Sequence, residues 1–320
     1  VRDTKLLLVV VKTTSYATYV EEQKDPLTTA LLARNDPTVA RVLRSHTDHA
    51  ATVTEVLAAI EELGAKALPV TNAALRDYID EPADLVVTIG GDGTLLTASH
   101  QVSETTPILG VNSAPEHSVG YFCGARKGKV KAALAAALDG TMRPTVVSRM
   151  QVDLNGVTVS RRVLNDALFC HEVPAATSRY ILSIHDDDAG EPREEEQKSS
   201  GLWIGPAAGS TAAQKSAGGR ILPLTSRRIQ YVVREPYTPR GKPLALSRGT
   251  IDDGGSIVIR SKIRQGRLFL DGPHVVHEVG LGDVITLRRS PETLTVLGLS
   301  RAGDEADRRT PPPARRKRGT

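Results

Sequence analysis

The stretch that decides the fold reads "DLVVTIGGDGTLLTASH", residues 84–100. Apolar and β-branched residues run into Gly90-Gly91, Asp92, Gly93 and Thr94, and apolar residues then resume at helical spacing. Glycines let the backbone turn sharply and let a ligand approach the main chain. The N–H groups of the turn, from Gly91 to Thr94, and the positive end of a helix expected to begin near Thr94 favour an anion such as phosphate. The turn is neither G-x-x-x-x-G-K-[ST] nor G-x-G-x-x-G. Asp92 is the informative addition. Beside a phosphate a carboxylate only repels, unless it serves a metal or takes a proton. A positioned base contributes on the order of 10²–10⁴ in rate when an alcohol attacks. The turn therefore points to phosphoryl transfer onto an alcohol, while the same tetrapeptide also fits an ordinary strand end.

Outward from this turn the first part of the chain alternates strands and helices. "KLLLVVV" (5–11), "KALPV" (66–70), "DLVVTIG" (84–90) and "PILGVN" (107–112) are short apolar strands. In "DHAATVTEVLAAIEELGAK", Val53, Val56, Leu57, Ile60 and Leu63 form one helical face closed by Gly64, and "KGKVKAALAAALDG" is a second helix ending at Gly140. Such alternation predicts a mostly parallel sheet covered by helices.

The pattern changes near residue 145. "SRMQVDLNGVTVSRR" alternates on both sides of Asn155-Gly156, a two-residue hairpin signal. "RYILSI", "GLWIG", "RIQYVV", "SIVIRS", "RLFLDG" and "DVITLRR" follow as strands separated by glycine turns. The expectation is an α/β domain over 1–143, a β-rich domain of two packed sheets (a β-sandwich) over 144–300, and a tail. The segment 185–200, "HDDDAGEPREEEQKSS", is expected to be a solvated hairpin loop and not a metal site. His46 and His49 are expected on a solvated helix face, and His100 is left without a role.

Net charge is +4, but residues 301–320 carry seven Lys/Arg against three Asp/Glu, so the body is neutral. The basic, Pro-rich end reads as a disordered tail, and nothing marks a specific nucleic-acid partner. No apolar run approaches the roughly 20 residues that span a bilayer. Two cysteines exclude a disulfide framework and a zinc cluster, and the default setting is cytoplasmic.

Two further stretches carry chemistry. "GPAAGSTAAQKSAGG" (205–219) is small residues and hydroxyls throughout. It either packs closely against another element or seats a nucleotide base or ribose on main chain, Ser210 and Thr211. "VLNDALFCHE" (163–172) sets Asn165-Asp166 within an apolar run, as a turn, a bulge or a polar contact.

Together, "IGGDGT", "LND" and "AAGSTAAQKSAGG" resemble the NAD kinase family over roughly residues 5–298. The resemblance implies ATP-dependent, or in some members polyphosphate-dependent, phosphorylation of the adenosine-ribose 2′-hydroxyl of NAD or NADH with Mg²⁺ or another divalent metal, in a homodimer or homotetramer. It implies a Rossmann-like α/β domain followed by a β-sandwich domain. It implies Asp92 as proton acceptor with Gly93 in contact with the dinucleotide, and Gly91 and Thr94 as further binding residues of the turn. It implies Asn165 and Asp166 on the ribose and nicotinamide side, and Thr211, Ala212 and Ser216 beside the adenine.

This chain departs from the common bacterial pattern at Ala213, where Tyr is usual, and at Ser200-Gly201, where Asp-Gly is usual. Asp271-Gly272-Pro273 replaces Asp-Gly-Gln, and Lys198 replaces an Arg. "SSGLW", "AAGSTAA" and "REPY" resemble instead the branch of plant-type NADH kinases, which implies use of NADH. Diacylglycerol-type lipid kinases share the first motif, and a dinucleotide-binding regulator without catalysis is the reading from another class.

Overall fold

The structure is a computed structural model that describes residues 4–78, 82–116, 118–186, 190–238 and 244–299. The tail expected over 301–320 lies outside the described residues. Four strands, β1 (Leu6–Val11), β2 (Lys66–Thr71), β3 (Leu85–Gly90) and β4 (Ile108–Asn112), pair in parallel in the order β2-β1-β3-β4, and β5 (Cys123–Arg126) joins β4. Buried on both faces, they need continuous apolar sequence, which is why β3 reads as an unbroken run. Of the helices α1 (Pro26–Ala33), α2 (Val42–Glu62), α3 (Asp92–Ser99) and α4 (Val130–Leu138), α2 and α4 cover one face. Val56, Ile60, Val130 and Leu134 there meet Leu7, Val9, Val87 and Leu109.

The other face of the parallel sheet receives α3 through Leu95, Leu96 and Ala98, packed with Leu8, Val10 and Val86. The same cluster includes Val147, Leu164, Leu294 and Val296, from the second half of the chain. The glycine-turn helix is thus wedged between the halves.

That second half begins with β6 (Pro144–Leu154), β7 (Val157–Val163), β8 (Ala167–His171), β9 (Ser178–His185) and β10 (Arg193–Ser199). It continues through β11 (Gly201–Pro206), α5 (Ala213–Ser216), β12 (Ile229–Arg234), β13 (Arg248–Ile251), β14 (Ser256–Ser261), β15 (Gly266–Leu270), β16 (Val275–Val279) and β17 (Val284–Leu297). One antiparallel sheet has the order β13-β12-β11-β8-β15-β16. The other, β10-β9-β14-β17, runs straight on into β4-β3-β1-β2. Tyr180, Leu182, Ile257, Ile259 and Ile285 from one sheet meet Phe169, Leu202, Ile204, Tyr231 and Leu268 from the other. This is the expected β-sandwich.

β17 does what the two-domain reading does not contain. Its first part pairs with β14 and the start of its ladder with β6; after an irregularity between Arg289 and Thr293 it pairs with the first residues of β6, and Val296 meets Ile108 of β4 in parallel. The last long strand therefore lies within the sheet of the first half.

Two expectations are corrected. The segment 185–200 is not loop throughout: Arg193–Ser199 is an edge strand paired with β9, its alternate charged side chains facing water. Charges on an edge block further pairing, so acidic composition does not exclude a strand there. His49 does not face solvent. It is buried with its Nδ1 3.0 Å from Ser113 Oγ, and His46 Nδ1 lies 2.7 Å from Thr14 Oγ1.

Candidate active site

A cleft of about 730 Å³ opens beyond the carboxyl ends of β1, β3 and β4, where open α/β sheets bind ligands. Its lining includes Lys12, Arg41, Asn72, Gly90, Gly91, Asp92, Gly93, Thr94, Asn112, Asp271 and His274. A second cavity, about 540 Å³, lies behind the 119–121 loop and excludes Asp92. The cleft is the one that contains the turn's chemistry.

The helix starts two residues before the expected Thr94. Gly91 is its N-cap with extended backbone (φ −117°, ψ −165°), and Asp92 is the first helical residue. The Gly91 carbonyl accepts from Thr94 and Leu95 N–H at 3.0 and 3.4 Å. Thr94 folds back so tightly that a Cβ on Gly90 would stand 2.1 Å from its Oγ1, whereas a Cβ on Gly93 would meet nothing within 4 Å. Gly90 is there for the turn, and the Gly93 side is open to a ligand. Thr94 itself is buried.

The Asp92 carboxylate accepts from Tyr121 N–H (2.9 Å) and Phe122 N–H (2.7 Å), one on each oxygen. The loop carrying these donors is itself held by Asn112, whose side chain donates to Ser118 O (3.0 Å) and accepts from Ala114 N–H (3.1 Å). Each carboxylate oxygen keeps acceptor capacity after these bonds. Asp92 is therefore aimed and still able to receive a hydroxyl proton. At the far end of α3, buried Arg149 donates to the carbonyls of Ser99 and Val102 at 3.0 and 2.9 Å and to Thr293 O at 2.7 Å. Arg162, paired with Glu292, donates to the Gln101 and His100 carbonyls at 3.0 and 3.3 Å. Cations at a helix C-terminus answer its negative pole.

Asp271, which the sequence marks as a turn residue and as the start of a departed Asp-Gly-Gln motif but not as a site residue, is the hub of the site. Its carboxylate accepts from the N–H groups of Leu164 (2.8 Å), Asn165 (2.6 Å) and Asp166 (3.0 Å). His100 Nε2, from the residue after α3, stands 2.9 Å from Asp271 Oδ2, within ion-pair distance but out of line for a hydrogen bond. Asp271 thus ties the Asn165-Asp166 turn to the glycine-turn helix. The only sequence signal was Asp271-Gly272 itself; contacts to residues more than a hundred positions away leave no local trace. Asn165 Nδ2 donates to Asp166 Oδ2 at 3.0 Å, and burial followed by the nearby Asp271 charge pushes the Asp166 carboxyl up to about 7.

The small-residue stretch packs on that turn. A Cβ on Gly209 would lie 1.6 Å from Asn165 O, and one on Gly205 2.4 Å from the same atom. Close packing explains these glycines. Ser210 is fully buried and internally committed, donating to Ala207 O and accepting from Leu222 N–H. It clamps the chain and offers no hydroxyl to a ligand. Thr211 and Ala212 are half-buried beside it, and Ser216 is exposed at a separate hollow shared with Trp203 and Arg234. Lys198 stands exposed on edge strand β10, outside both the cleft and that hollow. So Gly91, Asp92, Gly93 and Thr94 share the cleft, Asn165 and Asp166 reach it through Asp271, and Lys198 does not join them.

Residues 8–144 match the family model described as the ATP-NAD kinase N-terminal domain. The chain is 38% identical over 229 residues to the NADH kinase of Arabidopsis thaliana, covering 67% of this chain and 72% of that one. In fold it is similar to yeast NADH kinase complexed with NADH (TM-score 0.64, 15% identity, 93% of this chain and 85% of that one). It is also similar to an NAD kinase from Archaeoglobus fulgidus in complex with ATP (TM-score 0.62, 17% identity, 91% and 92%). At 38% identity to that plant NADH kinase across 72% of its length, the chain belongs to the NAD kinase family.

Proposed function

We propose that this enzyme phosphorylates the 2′-hydroxyl of the adenosine ribose of NAD or NADH, with ATP as donor, yielding NADP or NADPH. The observation that carries the reading is Asp92, fixed by Tyr121 and Phe122 N–H at the start of a helix in an otherwise phosphate-binding turn. Asp92 accepts the proton of the 2′-hydroxyl. The oxygen attacks the terminal phosphorus in line, the bond to the bridging oxygen breaks, and ADP leaves. Positioning and charge neutralisation supply most of the acceleration in such transfers. Asn165 and Asp166 hold the acceptor dinucleotide, with Thr211, Ala212 and Ser216 on its adenine side.

A divalent cation fits as a companion of the donor. Among the described residues no three His, Cys, Asp or Glu side chains converge into a cage. Mg²⁺ commonly keeps its waters and binds through substrate phosphates plus one or two carboxylates. Asp92 is the cleft carboxylate with acceptor capacity toward it. When bound, the ion would neutralise phosphate charge.

The likeness to NADH kinases and the loss of an acidic residue at Ser200 favour the reduced dinucleotide, whose nicotinamide lacks the positive charge. A homo-oligomer fits the outer face of the six-stranded sheet. Trp203, Leu168, Phe269 and Val276 stand side by side there across four strands, and Val276 is 40% exposed. No helix among the described residues is long and apolar enough to cross a membrane, and free Cys123 and Cys170 suit a reducing, cytoplasmic setting.

The test is purified protein with Mg²⁺, ATP or polyphosphate, and NAD or NADH, with the product read by an NADP(H)-specific dehydrogenase. Product formation with a higher kcat/KM for NADH is expected. Dinucleotide binding without product across donors and metals would overturn the kinase reading, and label appearing in lipid would replace it.

A further inference from the structure

The charged Lys, Arg, Asp and Glu side chains that line the cleft are Lys12, Arg41, Asp92 and Asp271. The two carboxylates are already answered from within. Asp92 accepts two main-chain N–H groups, and Asp271 accepts three and has His100 beside it. The two cations are not. Lys12 and Arg41 are exposed, and neither side chain makes an ion pair or hydrogen bond among the described residues. The cleft therefore carries unanswered positive charge next to the main-chain N–H groups of the turn.

The place of these cations is set by the sheet. In the order β2-β1-β3-β4 the chain reverses its direction of travel between β1 and β3, the switch point at which such sheets bind ligands. Lys12 follows β1 directly, and its N–H bonds Ile89 O at 3.2 Å, which anchors it against the strand that ends in the glycine turn. Arg41 is the residue at the N-cap of α2. Asn165, Asp166 and Asp271 approach from the opposite side, where β4 meets β17 and the sandwich begins. The turn lies between a side with two free cations and a side with polar groups suited to ribose and amide. Two phosphorylated substrates must meet at Asp92, and the polyanionic end of one of them belongs on the cationic side.

We propose that Lys12 and Arg41 hold the terminal phosphates of the donor and so set its affinity and reach. The inference rests on the kinase reading. Arg41 grips a phosphate through its planar fork, and Lys12 acts as a point charge that follows the phosphate as it moves. Neither residue takes part in packing, so removing it leaves the fold intact.

The experiment compares wild type with Lys12→Gln, Arg41→Gln, Arg41→Lys and the double Gln variant. Each Gln substitution is expected to raise the donor KM about tenfold while the dinucleotide KM stays within about twofold, and Arg41→Lys is expected to recover part of the loss. Inorganic triphosphate, titrated calorimetrically, is expected to bind the double variant at least tenfold more weakly than wild type. An unchanged donor KM and unchanged triphosphate affinity in the double variant would overturn the proposal. So would a rise confined to the dinucleotide KM, which would assign the cations to the pyrophosphate of the acceptor. A wild type that forms no NADP(H) defeats the kinase reading alone, because triphosphate binding still decides for or against the two cations.

Discussion

Asp92 has two attachments to the chain, its own helix and the main chain of the Tyr121-Phe122 loop. Asp92→Asn turns one carboxylate oxygen into a donor that faces an N–H. The expected result is a loss of turnover by a factor of about 10²–10⁴ together with a stability loss of about 1–3 kcal/mol. Steady-state rates and a thermal melt separate the two; near-normal turnover would remove Asp92 as the base. Two other buried groups set opposite pH dependences. Burial, then the Asp271 charge, holds the Asp166 carboxyl at about 7, so the native state keeps a proton that the unfolded chain has lost. That contribution is full below about 4 and is lost as pH rises through about 7. His49 runs the other way: burial first, then the charge of Lys12, lower it from 6.5 to about 4. Its contribution is full above 6.5 and is lost as pH falls through about 4. The two slopes oppose each other over the same window. Urea midpoints between pH 4 and 8 should therefore rise with pH more steeply in Asp166→Asn than in wild type, and fall in His49→Gln. Parallel curves in all three proteins would contradict both assignments.

At the level of elements, the contact between the small-residue stretch and the Asn-Asp turn is the tightest in the site. Gly209→Ala would put a carbon 1.6 Å from the Asn165 carbonyl oxygen, a backbone atom with nowhere to go. The expected cost is about 1–3 kcal/mol of stability, with a raised dinucleotide KM and a donor KM that moves less; KM values for both substrates check it. This element also shows what the sequence could and could not disclose. The parallel strands, α2, α4, the hairpin at Asn155-Gly156 and the strand–turn–helix around Asp92 were legible, because period and turn chemistry are local. The small-residue stretch announced a close approach but left open what approached. Arg193–Ser199 was misread because charge marks both loops and edge strands, and His49 because one helical position does not say which loop will fold over it. Asp271 gave no sign of its role, since its partners lie near residue 100 and at 164–166. Family resemblance supplied the expected roles of Asn165, Asp166, Ala212 and Ser216; the residue types of the small-residue stretch pointed to Ser210 and Thr211 only as one of two alternatives.

Across the whole molecule, the boundary between halves is bridged by β6 and β17, with Leu294 and Val296 buried among residues of the first half. A fragment of residues 1–143 is therefore expected to lack cooperative unfolding, although it contains β1 to β5. Hydrogen exchange of β3 and β4 amides, slow in the full chain and fast in the fragment, checks it. The homo-oligomer proposed above gives a second expectation: light scattering should read an oligomer for wild type and a monomer for Phe269→Glu, with the far-ultraviolet spectrum unchanged, and a wild-type monomer would overturn the proposed assembly. The place of β17 also bears on how the protein comes into being. Val296 must reach Ile108 across roughly 190 residues, which a ribosome working at about 5–20 residues per second needs some 10–40 s to deliver. Throughout that interval the nascent first half carries an open sheet edge and an uncovered α3, a substrate for chaperones. The glycine turn becomes a catalytic site only when translation is nearly over.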